Sequence, residues 1–167
     1  MRPGGIDKQS EIARYLPLEG FYHFGYVTKD LDSALRTLST TFGMVHSRRK
    51  FNAPWMEVIH ARTGKTQIEV ARFTSEAPQM YLDFVPEFPG EIRLQHLGYL
   101  VESLEKWEDL QDGIQQSGLS TPLDIEMMDG NLRAIFVDTR RINGLYMEYL
   151  FFSGSALRLN DDVPNFR

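Results

Sequence analysis

Four side chains in this sequence have the types and spacing to hold a metal ion. His23 and His96 open two stretches that nearly repeat, HFGYVTKDLD at 23–32 and HLGYLVESLE at 96–105. The chain has only four histidines, so two at equivalent places in a repeat stand out. Glu69 and Glu148 come late in the two halves, in IEVARF and MEYLFF, which share the pattern Glu-x-x-x-Phe. Two imidazole nitrogens and two carboxylate oxygens suit one divalent first-row ion: zinc, nickel, cobalt, manganese or ferrous iron. There is no cysteine, which excludes thiolate ligation and a disulfide framework.

Those four residues matter only if they face one another. Alternate residues of a strand point to opposite faces. On that rule Tyr22, Phe24 and Tyr26 share one face of the first strand, and His23, Gly25 and Val27 share the other. Glu69 faces away from Ile68 and Val70, and Glu148 away from Met147, Tyr149 and Phe151. Each half therefore aims one histidine and one glutamate away from the face its helix covers. Two halves related by a pseudo-twofold bring all four together. The glycine two residues after each histidine reads as space beside the metal for a substrate. Taken singly, a strand histidine is more often packing and a strand glutamate more often solvated. Recurrence at matched positions raises both together, although duplication alone would also preserve them.

The elements that must position these residues follow from local pattern. GFYHFGYVT is a strand, rich in aromatics. Asp30 or Asp32 caps a helix through SALRTLSTTF, with Ala34, Leu35, Leu38 and Phe42 at helical spacing and Gly43 as its stop. PWMEVIHAR and TQIEVARF are strands around the turn signal TGK. SEAPQMYLDFVPEFPGE, with three prolines, reads as a linker or edge loop. The pattern then restarts: strand RLQHLGYLV, then helix LEKWEDLQDGIQQS with Leu104, Trp107, Leu110 and Ile114 on one face and Gly118 at its end. Strands PLDIEMM, LRAIFVDT and LYMEYLFF follow, the last two around the loop RRING. The repeat holds an offset of 73 residues at the histidines, 75 at the helix-ending glycines and 79 at the glutamates, so the second half is slightly longer. The expected organisation is an extension at 1–19 containing a short helix in KQSEIARYL, modules at 20–74 and 92–152, a connector at 75–91 and a polar, irregular tail at 153–167.

Bulk properties bound the function. At 167 residues, 42% hydrophobic and 25% charged, the chain has ordinary globular composition. No apolar run approaches the roughly 20 residues of a membrane span, and the polar start resembles no secretion signal. A net charge of −5 argues against general nucleic-acid binding. A cytoplasmic protein with neither membrane nor nucleic-acid partners is expected.

The stretches YHFGYVTKDLDSAL, QIEVARF, LQHLGYLVESLEKW and AIFVDTRRINGLYMEYL resemble the vicinal oxygen chelate superfamily, the glyoxalase/bleomycin-resistance fold, across roughly residues 20–152. The resemblance implies an α+β architecture: two βαβββ modules pairing into a cupped, barrel-like mixed sheet with helices outside. It implies one divalent metal held by His23, Glu69, His96 and Glu148. The opening HFGYVTKDLDSAL looks more like the methylmalonyl-CoA epimerase branch, and Glu69 more like glyoxalase I. The extension, the proline-rich connector and the DTRRING loop depart from both. The implied activity is a metal-dependent isomerase or epimerase that moves a proton next to a carbonyl through a metal-stabilised enolate. Glu148 or Glu69 would be the base, with Glu57 and Glu126 as weaker candidates. The competing readings are a glyoxalase I-like lyase, an extradiol-type dioxygenase using His23, His96 and Glu148, and a non-catalytic small-molecule binding or resistance protein. The implied partners are a small carbonyl substrate and a second copy of the chain in a homodimer.

Other residues carry weaker readings. HSRRK at 46–50 and the pair Arg140 and Arg141 read as solvated basic loops or as a grip on an acidic substrate tail. His60 reads as a surface histidine at a hairpin end, or as part of the cup. Trp55 and Tyr146 are candidate pocket walls. Trp107, Met127 and Met128 read as packing.

Overall fold

The computed structural model describes residues 16–50 and 53–166, apart from the side chains of residues 48–50. The helix expected in KQSEIARYL and the side chains of Arg48, Arg49 and Lys50 fall outside that set. Two βαβββ modules follow one another. The first comprises β1 (Phe21–Thr28), α1 (Leu31–Phe42), β2 (Ser47–Lys50), β3 (Met56–Thr63) and β4 (Thr66–Phe73). After the one-turn α2 (Gln79–Leu82), the second comprises β5 (Ile92–Leu100), α3 (Leu104–Ser117), β6 (Leu123–Met127), β7 (Leu132–Asp138), the one-turn α4 (Arg140–Asn143) and β8 (Tyr146–Phe152). The strands form one mixed sheet in the order β2-β3-β4-β1-β5-β8-β7-β6. β1 runs parallel to β4, β5 runs parallel to β8, and β1 and β5 meet antiparallel at the centre. The α+β cupped sheet expected from the sequence is the observed fold.

Local chemistry explains the helices. Asp30 caps α1 by accepting from the Ser33 amide at 2.7 Å, and Ser103 caps α3 by accepting from the Lys106 amide at 3.2 Å. Gly43 ends α1 at φ 65°, a left-handed value that costs glycine little. The apolar stripe of α1, Leu31, Leu35 and Leu38, packs on Ile59, Ala61 and Val70. That of α3, Trp107, Leu110 and Ile114, packs on Tyr99, Ile135, Val137, Met147 and Tyr149. The stripes are shorter than periodicity suggests, since Phe42 and Leu104 are exposed. Both helices lie outside the curved sheet, so the opposite, concave face is left for a site.

Two segments differ from expectation. The proline-rich connector contains α2, which buries Met80 and Tyr81. The tail is not merely irregular. After a 3₁₀ turn at Gly154–Arg158 it crosses to the first module, where the Arg62 amide donates to the Pro164 carbonyl at 2.9 Å and the Phe166 amide to the Arg62 carbonyl at 2.8 Å. Ala156 and Val163 are buried on the way.

Candidate metal centre

The two histidines approach from the central strand pair. His23 lies across from Gly98 and His96 across from Gly25. A Cβ on Gly25 would lie closer than 3.0 Å to three atoms of the His96 ring, and a Cβ on Gly98 equally close to the His23 ring. The glycines therefore make room for the partner histidine, not for a substrate as the sequence suggests. With both rings admitted, His23 Nε2 and His96 Nε2 stand 2.9 Å apart. Glu148, from β8, puts Oε2 3.0 Å from His23 Nε2 and 3.3 Å from His96 Nε2. All three residues are buried and belong to one chain, so the cluster forms without a second copy.

These donors fit a divalent ion. Ligand atoms about 2.1 Å from a common ion and at right angles to each other are about 3.0 Å apart. The three observed separations bracket that value. The set is two imidazole nitrogens and one carboxylate oxygen, which suits zinc, nickel, cobalt, manganese or ferrous iron.

A β-bulge supplies the support. Gly25 pairs with His96 and Tyr26 with Leu94, so Gln95 is an extra residue in β5. The fully buried Gln95 side chain thereby reaches the His96 ring, its Oε1 accepting from Nδ1. Gln95 Nε2 donates to the Met80 carbonyl at 3.4 Å, which fixes the amide orientation. With Nδ1 donating to Gln95, a metal-bound His96 would turn an Nε2 lone pair to the ion. A second bulge makes Tyr22 the extra residue in β1, so Tyr22 and His23 line the same cavity and do not take opposite faces.

Glu69 is not in the cluster. Its Oε2 accepts from His60 Nε2 at 3.0 Å, and the two residues lie opposite each other on β4 and β3. His60 is a buried cavity residue, not a surface hairpin histidine. Electrostatics tie the groups together. Burial disfavours the Glu69 anion, but the His60 hydrogen bond and the charges of His60, His23 and His96 outweigh it and bring Glu69 down to about 2. Glu148 is likewise lowered, its burial overcome by hydrogen bonds from His23 and His96. Burial would push His23 down, yet Glu148 and Glu69 hold it above its ordinary value. Tyr81 is raised well above the usual range, by burial first and then by the two carboxylates.

A cavity of about 360 Å³ opens over His23, Glu148, His60 and Glu69. Trp55, Tyr81, Phe136, Leu123, Ile125 and Leu150 supply much of its wall. Met127 lines it as well, whereas Met128 is exposed. Tyr146 does not line it and packs beneath Arg140, whose guanidinium lies 4.9 Å from the ring centroid. Arg140 is engaged by Asp138 at 2.7 Å and by Asp83 at 3.5 Å. Glu57 and Glu126 pair with Arg72 and Arg133 and lie outside the lining. Among residues that pattern reading overlooked, Leu159 and Asn160 of the tail close one side, and Asn160 donates to Tyr22 Oη at 2.6 Å.

A model of the Glyoxalase/Bleomycin resistance protein/Dioxygenase superfamily matches residues 22–113. Among solved structures, a hypothetical protein from Bacillus halodurans C-125 is similar at a TM-score of 0.60 and 15% identity, covering 81% of this chain and 96% of its own. Methylmalonyl-CoA epimerase from Mycobacterium tuberculosis is similar at 0.59 and 17%, covering 85% and 96%. A Streptomyces coelicolor methylmalonyl-CoA epimerase variant complexed with 2-nitronate-propionyl-CoA is similar at 0.60 and 14%, covering 84% and 98%. At these identities the likeness is one of fold. Among curated proteins none matches the sequence.

Proposed function

Because the chain belongs to the Glyoxalase/Bleomycin resistance protein/Dioxygenase superfamily, we propose that it is a divalent-metal-dependent isomerase or epimerase acting beside a carbonyl. His23, His96 and Glu148 would hold the ion, with Gln95 orienting His96. When bound, the ion supplies Lewis acidity toward a carbonyl oxygen. The observation that carries the reading is the second carboxylate: Glu69, on the same cavity, held apart from the three donors by His60. A carboxylate so placed can take a proton that the ligand carboxylate cannot.

In the proposed reaction the bond between hydrogen and the carbon beside the carbonyl breaks. The proton goes to Glu69 and the electron pair passes to the carbonyl oxygen, giving an enolate. Return of the proton from Glu69 to a neighbouring carbon completes an isomerisation, and return to the same carbon after the enolate has turned its other face to Glu69 completes an epimerisation. Glu69 is ionised across the physiological range, so it is ready to accept. His60 fixes the carboxylate orientation, and the apolar walls exclude water. The epimerase names of several structural neighbours agree with this class of reaction.

The test is metal content together with deuterium uptake from D₂O at the carbon beside the carbonyl. Protein loaded to about one zinc, cobalt or nickel per chain should catalyse exchange. Glu148→Gln should abolish it and weaken metal binding by more than the roughly 10–100-fold that loss of a supporting residue costs. Undiminished exchange in Glu148→Gln would sink the assignment. A second reading is favoured by one observation: two histidines and one carboxylate are also the donor set of non-haem ferrous oxygenases. Oxygen uptake by the iron-loaded chain with a catechol would move the assignment there.

A further inference from the structure

We infer that the substrate is a compact, uncharged ketone with a largely hydrocarbon body about the size of two fused rings, and not a carboxylate-bearing acyl group. The inference rests on the proton-transfer reading for its chemistry, but on the cavity wall for its class. The wall is made of aromatic and aliphatic side chains from β3, α2, β6, β7 and β8. Among the described residues no lysine or arginine lines it. Three described arginines are paired with acids: Arg72 with Glu57 at 3.5 Å, Arg133 with Glu126 at 3.5 Å and Arg140 with Asp138 at 2.7 Å. The charged groups that do line the cavity include two carboxylates, Glu69 and Glu148. A second anion brought in by the substrate would lose its water, find no lysine or arginine among the described lining residues and approach both of those carboxylates. The neutral polar groups at the tail side are already bonded together, with Asn160 donating to Tyr22 and Tyr22 to Gln67 at 3.2 Å.

Size points the same way. An apolar cavity of roughly 150 Å³ holds a benzene ring. This one, at about 360 Å³, holds more than twice that volume. Its polar groups, His23, Glu148, His60 and Glu69, suit one carbonyl and the carbon beside it.

The probes are β-tetralone, a bicyclic neutral ketone, and methylmalonate, a small dicarboxylate. Calorimetric titration into metal-free protein isolates the wall from any chelation. β-Tetralone should bind at least tenfold more tightly than methylmalonate. Ile125→Arg, on edge strand β6, should weaken β-tetralone and strengthen methylmalonate, each about tenfold. Equal or tighter binding of methylmalonate by the unaltered chain would overturn the inference, whether or not the arginine variant folds. Deuterium uptake into β-tetralone by zinc-loaded protein then tests the reaction separately. Binding without uptake would overturn the proton-transfer reading and leave the substrate class standing. Uptake into methylmalonate alone would overturn the class and leave the reaction standing.

Discussion

The two modules place the same residue types at matching positions and use them differently. In the second module Phe136 lies opposite Glu148 on neighbouring strands. Phe136 offers no hydrogen bond; its ring meets His96 edge-on with centroids 5.1 Å apart, and Glu148 reaches both cluster histidines. In the first module the residue opposite the matching glutamate is His60, and it captures Glu69. One difference across a strand pair thus separates a candidate metal ligand from a candidate base. The histidines differ too. His96 Nδ1 is fixed by Gln95, whereas His23 Nδ1 is buried without a hydrogen-bond partner among the described residues. The second module holds its cluster histidine with a buried amide, and in the proposed reaction the first supplies the base.

The central glycines offer the largest break in this arrangement. Gly25→Ala forces the His96 ring aside, and Gly98→Ala the His23 ring. Each should cost about 1–3 kcal/mol by overpacking and eliminate stoichiometric metal binding. Retention of one metal per chain by either variant, read by elemental analysis, would show that the rings can close the site another way. Next comes His60→Phe, which makes the first module copy the second. Freed Glu69 should join the histidines, so metal affinity should hold or rise while proton exchange falls by roughly 10²–10⁴-fold. Unchanged exchange would remove Glu69 from the role of base.

His23, His96 and Glu148 are legible because the chain repeats and because strands alternate: a type match at corresponding places in the two halves plus a facing rule points them to one place. The same rule points Glu69 there as well, and His60 captures it instead. Gln95 is not legible, because the bulge in β5 breaks alternation beside the histidine it supports. The partner of Glu69 was available in principle. The turn between Thr63 and Thr66 sets the β3–β4 register, and counting back from it puts His60 opposite Glu69. The sequence shows the two glycines but not their reason, which lies on the neighbouring strand. Tyr81, Leu159 and Asn160 reach the cavity from a proline-rich connector and a polar tail, where no period marks the buried face. Their burial follows from how the chain crosses the sheet.

Smaller effects test the asymmetry between the histidines. Gln95→Leu removes the bond that keeps the proton of His96 on Nδ1. Metal affinity should fall about 10–100-fold with the fold intact. A similar loss from Tyr22→Phe, at the matching place in β1, would erase the distinction, because Tyr22 Oη bonds Gln67 and Asn160 and not His23.

The smallest effect is on pH dependence, and its sign reverses with metal. In the metal-free chain His23 is held above its ordinary 6.5, so its contribution is full below that value and is lost as pH rises through the folded one. Glu148 and Glu69 are held below 4.5, so theirs is present above that value and is lost as pH falls through the lowered ones. Metal-free stability should therefore peak between those limits and decline as pH rises above 6.5, by roughly 2–4 °C in Tm for each kcal/mol lost. A bound ion needs the His23 nitrogen free of its proton, so affinity grows over the same interval. Thermal melts with and without zinc should diverge as pH rises. Parallel curves would mean that His23 does not give up a proton to the ion, and the three-donor centre would lose its first-module ligand.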